Sequence, residues 1–112
     1  MTRGLVDTSV FVARELGRRI DHDGVPAELA VSVVTAAELR AGVLGASDLA
    51  TRARRLVTLE LVLAMLPLPI DAAAAEAWAE LRVGLRDAGR KMKANDAWIA
   101  ATAIALGVPV VT

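Results

Sequence analysis

The stretch LAVSVV at residues 29–34, with TAAELRAGV at residues 35–43 directly after it, decides the fold of this chain. The first segment is apolar and rich in β-branched residues, which is typical of a strand buried on both faces. The second segment has the composition of a helix, so the pair predicts a strand followed by a helix. A strand buried on both faces belongs to a parallel sheet covered by helices, which indicates the α/β class.

The rest of the chain continues this alternation. We predict strands at Leu5–Val6, Met65–Leu68 and Val108–Val111, and helices at Val10–Leu16, Asp48–Val62, Asp71–Gly89 and Asp96–Leu106. The helix after Asp48 has an apolar stripe formed by Leu49, Ala53, Leu56, Leu59 and Leu63. Pro67 indicates that the strand containing it lies at a sheet edge. Together these elements predict a single domain over residues 1–112, with a mostly parallel central sheet flanked by helices.

Composition narrows the classes of function. The chain has 112 residues, 55% of them hydrophobic, which suffices for one core. Its 13 basic and 13 acidic residues cancel, so any affinity for nucleic acid or a membrane must be local. The lack of cysteine and the single histidine exclude disulfides, thiolate nucleophiles and the usual zinc sites, whereas oxygen ligands remain. The N-terminus carries no signal-type apolar segment, so we expect a cytoplasmic protein.

Three acidic residues lie where strands end or helices begin. Asp7 follows the first strand, Glu38 lies one helical turn beyond residues 29–34, and Asp96 begins the helix that leads into the last strand. In a parallel sheet these points meet at the carboxyl edge, where such sheets bind ligands. The three carboxylates are therefore expected to converge. A divalent cation with oxygen ligands would relieve their repulsion, so the sequence predicts a metal site.

Each acid also has a structural explanation. The segment from Thr35 to Glu38 matches a capping box, in which the threonine hydroxyl and the glutamate carboxylate satisfy backbone amides reciprocally. Asp7 can cap the first helix, and Asp96 can favour the positive end of its own helix. Capping is the commoner role for any one of them. The conjunction of all three favours the metal site.

Four motifs, in this order and at these intervals, resemble those of PIN domains. They are LVDTSVF at residues 5–11, TAAELRAG at residues 35–42, NDAWIAATA at residues 95–103 and VPVVT at residues 108–112. The likeness spans essentially the whole chain, and the motifs look most like those of the VapC toxins of bacterial toxin–antitoxin pairs. A single motif is weak, but four with the correct intervening lengths are specific.

The resemblance implies a PIN-like three-layer fold and a Mg²⁺- or Mn²⁺-dependent endoribonuclease, a homodimer held inactive by an antitoxin called VapB. The catalytic, metal-binding acids of the family correspond to Asp7, Glu38 and Asp96, and polar positions near the metal correspond to Thr8, Ser9 and Thr112. The family has another acid a few residues beyond Thr112. The 112-residue chain is therefore expected to lack the usual C-terminal segment, to hold a divalent ion weakly and to cut RNA poorly.

Cations that precede Asp96 are candidates for RNA binding. The group consists of Arg82, Arg86, Arg90, Lys91 and Lys93. Its three arginines recur every fourth residue and so share one helical face. This face is either simply solvated or guides an RNA phosphate backbone toward the metal, and both interpretations stay open.

The tryptophans and the single histidine receive structural interpretations. Trp78 and Trp98 fall on apolar helical faces, so we expect them to pack in the core rather than to stack on bases. His22 lies in a predicted loop and is expected to be a solvated surface residue, because a lone histidine has no evident catalytic partner.

Two alternatives to a ribonuclease remain. A catalytically silent PIN-like module, lacking the terminal acid, would bind RNA or a protein without cutting. A receiver or phosphatase-type domain would need a second aspartate or a suitable lysine near Asp7, a pattern that is missing. The apolar helices between Thr35 and Leu63 also predict a groove for an antitoxin segment, which full burial of Leu44, Leu49, Leu61 and Leu63 would exclude.

Overall fold

The computed structural model describes residues 2–18 and 26–112, and the interpretation of His22 lies outside them. Within these residues the strands are β1 (Arg3–Val6), β2 (Glu28–Ala30) and β3 (Val110–Val111), and the helices are α1 (Thr8–Glu15), α2 (Val33–Leu44), α3 (Leu49–Ala64), α4 (Ala72–Asp87) and α5 (Ala94–Leu106). The strands form a parallel sheet in the order β2-β1-β3. The predicted α/β class is confirmed.

The central strand β1 supplies one core residue to each side of the sheet. Leu5 packs with Val34, Ile99 and Ala103, on the side that α5 covers. Val6 packs in a separate cluster with residues of α1, α2 and α3. Successive strand residues point to opposite faces, so these contacts define three layers, with helices on both sides of the sheet.

The predicted strand at residues 29–34 is wrong in its extent, because β2 ends at Ala30 and α2 already begins at Val33. The Ser32 hydroxyl accepts a hydrogen bond from the Val34 amide at 3.0 Å and so caps this helix. Val34 is apolar because it packs from α2 against Leu5 and Ile99, which is helical packing in a segment that looks like a strand.

The beginning of α3 is confirmed, but its predicted apolar stripe is wrong. Asp48 caps the helix as expected. The buried residues are Thr58, Leu59 and Val62, whereas Leu49 is 84% exposed. Only Leu59 of the predicted stripe is buried, because the face that packs on the core is rotated away from the most leucine-rich side.

The strand predicted at Met65–Leu68 reduces to one residue. Met65 ends α3, and Leu68 forms an isolated parallel bridge with Ser32. The Leu68 amide donates to the Val31 carbonyl at 2.8 Å, and its carbonyl accepts from the Val33 amide at 2.9 Å. The segment therefore lies at the edge of the sheet, next to the end of β2, as Pro67 suggested.

The second half of the chain follows the sequence closely. Asp71 caps α4, and Gly89, with a φ of 68°, follows the end of that helix. The helix α5 begins at Ala94, two residues before the predicted start, and ends at Gly107 in the left-handed conformation. A parallel β3 beside β1 is confirmed. It covers Val110–Val111, so the predicted strand at Val108–Val111 is two residues too long. Among the described residues, no helix combines the length and the apolarity needed to cross a membrane.

Candidate functional site

Asp7 lies at the junction between β1 and α1. Its backbone amide donates to the Val111 carbonyl at 2.8 Å, which holds the junction against the end of β3. Its carboxylate accepts from the Ser9 amide at 3.3 Å and from the Ser9 hydroxyl at 2.6 Å. Asp7 is thus the N-cap of α1, as one interpretation predicted, and it lies half-buried at the carboxyl edge of the sheet.

Glu38 is held by the first turn of α1 and is not part of a capping box. The N-cap of α2 is Ser32, so Thr35 lies inside the helix and Glu38 in its second turn. The Thr8 hydroxyl donates to Glu38 Oε1 at 2.7 Å, and Thr35 Oγ1 lies 3.0 Å from Thr8 Oγ1. Because Thr8 directly follows Asp7 in the chain, these contacts bring Glu38 to the same edge of the sheet.

Asp96 is an exposed residue in the first turn of α5. Ile99 lies one turn later on the same helical face and packs against Leu5 and Val34. Since α5 leads into a strand parallel to β1, the helix runs antiparallel to β1. Asp96 is therefore displaced from Ile99 toward the carboxyl edge, the edge on which Asp7 lies.

Thr112 lies at the level of Asp7. Val6 pairs with Val111, so the residues that follow them are neighbours at the ends of two adjacent parallel strands. Thr112 is exposed there. Its predicted position, just past the last strand and close to Asp7, is confirmed by this register.

The three acids approach one edge without already forming a ligand cage. Within residues 2–18 and 26–112, no three His, Cys, Asp or Glu side chains make a group that could hold a metal ion. The carboxylates of Asp7 and Glu38 are instead turned toward the hydroxyls of Ser9 and Thr8. Coordination of one cation by all three acids, with Asp96 as the third, stays a prediction. The donor chemistry suits a hard divalent cation, because carboxylate and hydroxyl oxygens meet here.

Two of the candidate RNA-binding cations, Arg82 and Arg86, lie on α4, and the other three lie on the loop that joins it to α5. The predicted helical face shared by three arginines is therefore wrong for Arg90, because α4 ends at Asp87. All five are exposed: Arg82, Arg86, Arg90, Lys91 and Lys93. Arg86 forms a solvent-exposed ion pair with Asp87 at 3.2 Å, and Lys93 is the N-cap position of α5. The loop leads directly into the turn that carries Asp96, so the cations flank the candidate site. RNA binding by them stays a prediction.

The two tryptophans join α4 to α5. Their rings stack with centroids 4.7 Å apart, and both residues are half-buried. Trp98 packs against the cluster around Leu5 and Ile99. The Trp78 indole Nε1 is buried and makes no hydrogen bond within the described part of the chain. Packing between the helices, as predicted, is therefore their observed role.

A groove of about 310 Å³ lies between α1 and α3, on the side of the sheet away from α5. Phe11, Val57 and Leu61 give it apolar walls, and Arg14 and Arg54 lie along it. The leucines whose burial would have excluded an antitoxin groove are exposed: Leu44 by 68%, Leu49 by 84%, Leu61 by 43% and Leu63 by 44%. Of these four, only Leu61 lines the groove between α1 and α3. The predicted apolar surface on α2 and α3 is thus not excluded by burial, and antitoxin binding stays a prediction.

Thr35 is the site residue that sequence reasoning placed in the wrong role. It is fully buried, and its hydroxyl contacts Thr8 instead of capping a helix. The sequence does show that Thr35 is the one polar residue within the segment VVTAA at residues 33–37, which indicates a buried hydroxyl. A buried hydroxyl needs a hydrogen-bond partner, but sequence alone could not identify Thr8, which lies 27 residues away.

Known proteins resemble this chain along nearly its whole length. The family model of the PIN domain matches residues 4–112. Ribonuclease VapC5 of Mycobacterium tuberculosis is 50% identical over 109 residues, which are 97% of this chain and 81% of that protein. Ribonuclease VapC4 of the same species is 50% identical over 111 residues, covering 98% and 85%. The crystal structure of VapBC-5 from Mycobacterium tuberculosis, a member of the VapBC family of toxin–antitoxin systems, matches with a TM-score of 0.92 at 46% identity, covering 100% of this chain and 85% of that chain.

Proposed function

Since this chain belongs to the PIN-domain family, we propose that it is a metal-dependent endoribonuclease toxin of a VapBC-type system, neutralised by a VapB-type antitoxin. The carrying observation is that Thr8 donates to Glu38 at 2.7 Å directly beside Asp7, which gathers two acids at the carboxyl edge. Relatives 50% identical over nearly the whole chain are named ribonucleases. Their names support RNA as the substrate.

Asp7, Glu38 and Asp96 would hold Mg²⁺ or Mn²⁺. Hard carboxylate oxygens are the ligands these ions prefer, and the side chains of half-buried or exposed residues can turn toward an ion without a change of backbone. Ser9 and Thr8 would orient the carboxylates of Asp7 and Glu38, since their hydroxyls already donate to them. A bound divalent ion supplies a more acidic water and neutralises phosphodiester charge.

The reaction needs no nucleophile from the protein. Water would attack the phosphorus, the bond to the 3′ oxygen would break, and the products would carry a 5′-phosphate and a 3′-hydroxyl. The exposed cations of α4 and its following loop would attract the RNA backbone to this edge. Thr112, which lies at the level of Asp7, would add a hydroxyl beside the scissile phosphate.

The antitoxin would bind along the groove between α1 and α3. Exposed Val57 and Leu61 offer it apolar contacts. Arg14 and Arg54 outnumber Glu15 in the lining of the groove, which favours acidic side chains beside them. The crystal structure of VapBC-5, which is a toxin–antitoxin family member, supports this class of partner. We further propose a homodimer, for which Ile104 on α5, together with Leu81 and Leu85 on α4, offers a continuous apolar surface.

A cleavage assay with end analysis tests the proposal. A labelled RNA is incubated with metal-free protein, and Mg²⁺ or Mn²⁺ is then added, with Glu38→Gln as the inactive control. We expect metal-dependent products bearing 5′-phosphates, and none from the variant. Binding of RNA or antitoxin without cleavage at any divalent concentration would instead establish the catalytically silent module. Equal cleavage by Glu38→Gln would reject the site.

A further inference from the structure

The Thr35 hydroxyl begins a chain of two hydrogen bonds that ends on a candidate metal ligand. Thr35 is 0% exposed and lies in α2. Its Oγ1 is 3.0 Å from Thr8 Oγ1, and Thr8 Oγ1 is 2.7 Å from Glu38 Oε1. A fully buried polar group is thus connected, through one hydroxyl of α1, to a half-buried carboxylate at the edge of the sheet.

The direction of both hydrogen bonds follows from the number of protons. A threonine hydroxyl has one proton, and Thr8 donates its proton to Glu38. Thr8 can then only accept from Thr35, so the Thr35 hydroxyl must donate. Thr35 therefore sets the rotation of the Thr8 hydroxyl, and that hydroxyl in turn fixes one oxygen of Glu38.

We propose that Thr35 is a positioning residue for Glu38, acting through Thr8. The role assumes the metal-dependent function proposed above, because Glu38 needs a fixed orientation only if it shares a cation with Asp7. Both hydroxyls sit on β-branched side chains, which have few χ1 rotamers, and Thr35 is locked in a packed helix. Glu38 is thereby aligned from the core of the molecule. A ligand held in place before binding loses less conformational freedom when the ion arrives.

The competing explanation is that Thr35 only fills space in the core. Thr35→Val keeps the branched shape and removes the donor, whereas Thr35→Ser keeps the hydroxyl and removes a methyl group. A packing role predicts that the serine variant is the more damaged, since it leaves a cavity. The positioning role predicts instead that Thr35→Val disturbs the orientation of Glu38 and weakens metal binding, whereas Thr35→Ser preserves both.

Two measurements test the role, one of them without metal. In metal-free protein, three-bond NMR couplings across χ1 of Thr8 should report one rotamer in the wild type and in Thr35→Ser, and averaged rotamers in Thr35→Val. In calorimetric titrations with Mn²⁺, Thr35→Val should weaken binding by about 3- to 10-fold, the equivalent of one hydrogen bond, and Thr35→Ser should retain it. Thermal unfolding verifies that both variants are folded.

The Glu38→Ala background separates positioning from general damage, since alanine leaves no side-chain oxygen for Thr8 to orient. Thr35→Val should cause no further loss of Mn²⁺ affinity there, because the carboxylate it orients is gone. An equal loss in both backgrounds would overturn the role, as would unchanged Thr8 couplings or unchanged Mn²⁺ affinity in Thr35→Val. Mn²⁺ binding that depends on Thr35, in a chain that cleaves no RNA, would support the positioning role and reject the ribonuclease.

Discussion

The rings of Trp78 and Trp98 stack nearly in parallel, with centroids 4.7 Å apart and planes inclined by 12°. The guanidinium carbon of Arg82 lies 5.5 Å from the Trp78 ring centroid. Because Trp98 covers one face of that ring, Arg82 lies against the other. Arg82 lies one helical turn after Trp78 in α4, and Asp96 lies two residues before Trp98, on which Trp78 stacks, in the first turn of α5. The stack thus holds a cation beside the candidate site.

Removing the aromatic support of Arg82 should weaken RNA binding, but by less than removing the charge of Arg82. We expect Arg82→Gln to reduce the salt dependence of RNA affinity by about one unit of slope, as for one lost phosphate contact. Trp78→Leu should cause part of the same loss, because a cation–π contact at an exposed site contributes about 0.5–1 kcal/mol. Fluorescence anisotropy with a labelled RNA in EDTA measures both.

The double variant decides whether the two residues act together. If Trp78 acts through Arg82, the loss in Trp78→Leu/Arg82→Gln equals that in Arg82→Gln alone. Additive losses would show that Trp78 contributes independently of this cation. Arg52→Gln, on α3, removes an exposed arginine away from the stack and should leave the affinity unchanged.

Asp96→Asn should abolish metal-dependent RNA cleavage while leaving the protein folded. Asp96 is exposed, so an asparagine fits in its place. The substitution loses at most the favourable interaction of the charge with the helix dipole, which contributes about 0.3–1 kcal/mol. Cleavage rates and thermal unfolding, measured on the same preparation, check both statements. Glu60→Gln, at an exposed acid on α3, makes the same change from acid to amide; it is the control and should cut normally. Undiminished cleavage by Asp96→Asn would remove Asp96 from the site.

Local chemistry allowed most of the helix boundaries to be predicted. The positions of Asp48 and Asp71 predict the starts of their helices, because an N-cap carboxylate accepts from a backbone amide only three residues later. Such a local contact can be inferred from the sequence alone. The strand predicted at residues 29–34 was too long, because Val33 and Val34 are compatible with a buried strand and with a buried helix. Only tertiary packing of Val34 against α5 decides between them.

The candidate site was predictable as a set of acids but not as a network. Asp7 and Ser9 are two residues apart, so their contact could be anticipated. The contact between Thr8 and Glu38 joins positions 30 residues apart on different helices. Which residue Thr8 contacts depends on how α1 packs against α2, and the spacing of residues in the sequence does not predict that packing. The capping-box interpretation of Glu38 failed because the N-cap of α2 is Ser32, three residues before Thr35.

Gly4 marks a close approach between neighbouring strands. A Cβ atom at this position would lie 2.7 Å from Val111 Cγ2 and 3.0 Å from Pro26 Cγ. Gly4→Ala should therefore destabilise the protein by about 1–3 kcal/mol, as overpacking does. Gly84→Ala is the opposite case, since Gly84 lies in the last turn of α4 and an added Cβ atom would meet nothing within 4 Å. This substitution should stabilise the protein by about 0.5–1 kcal/mol. Urea denaturation measures the free energy of unfolding of both variants. Changes in the same direction for the two variants would contradict the steric explanation.

A charge placed in the groove between α1 and α3 should disrupt antitoxin binding. Val57 is 58% exposed and lines this groove, so Val57→Asp should leave the fold intact and weaken capture of a co-expressed VapB-type antitoxin. Val83→Asp makes the same change on α4, where the valine is 48% exposed, and should retain binding. Copurification ratios and calorimetry quantify the difference. Equal binding by the two variants would move the antitoxin to another surface.

The cap of α3 should make part of the stability depend on pH. The Thr51 amide and hydroxyl donate to the Asp48 carboxylate at 2.8 Å and 3.0 Å, and they lower the pKa of Asp48 from its ordinary value of 3.8. A carboxyl whose pKa is lower in the folded protein than in the unfolded chain stabilises the fold in full when the pH is above the unfolded-state pKa. This stabilisation is lost as the pH falls through the folded-state pKa.

Asp48→Ala should thus lower the Tm at pH 7, and the difference in Tm from the wild type should narrow only below about pH 4. Asp48→Asn, which keeps the cap but not the charge, should lower the Tm less at pH 7. A difference between wild type and Asp48→Ala that stays constant down to pH 2 would show that the ionised carboxylate contributes nothing to the cap.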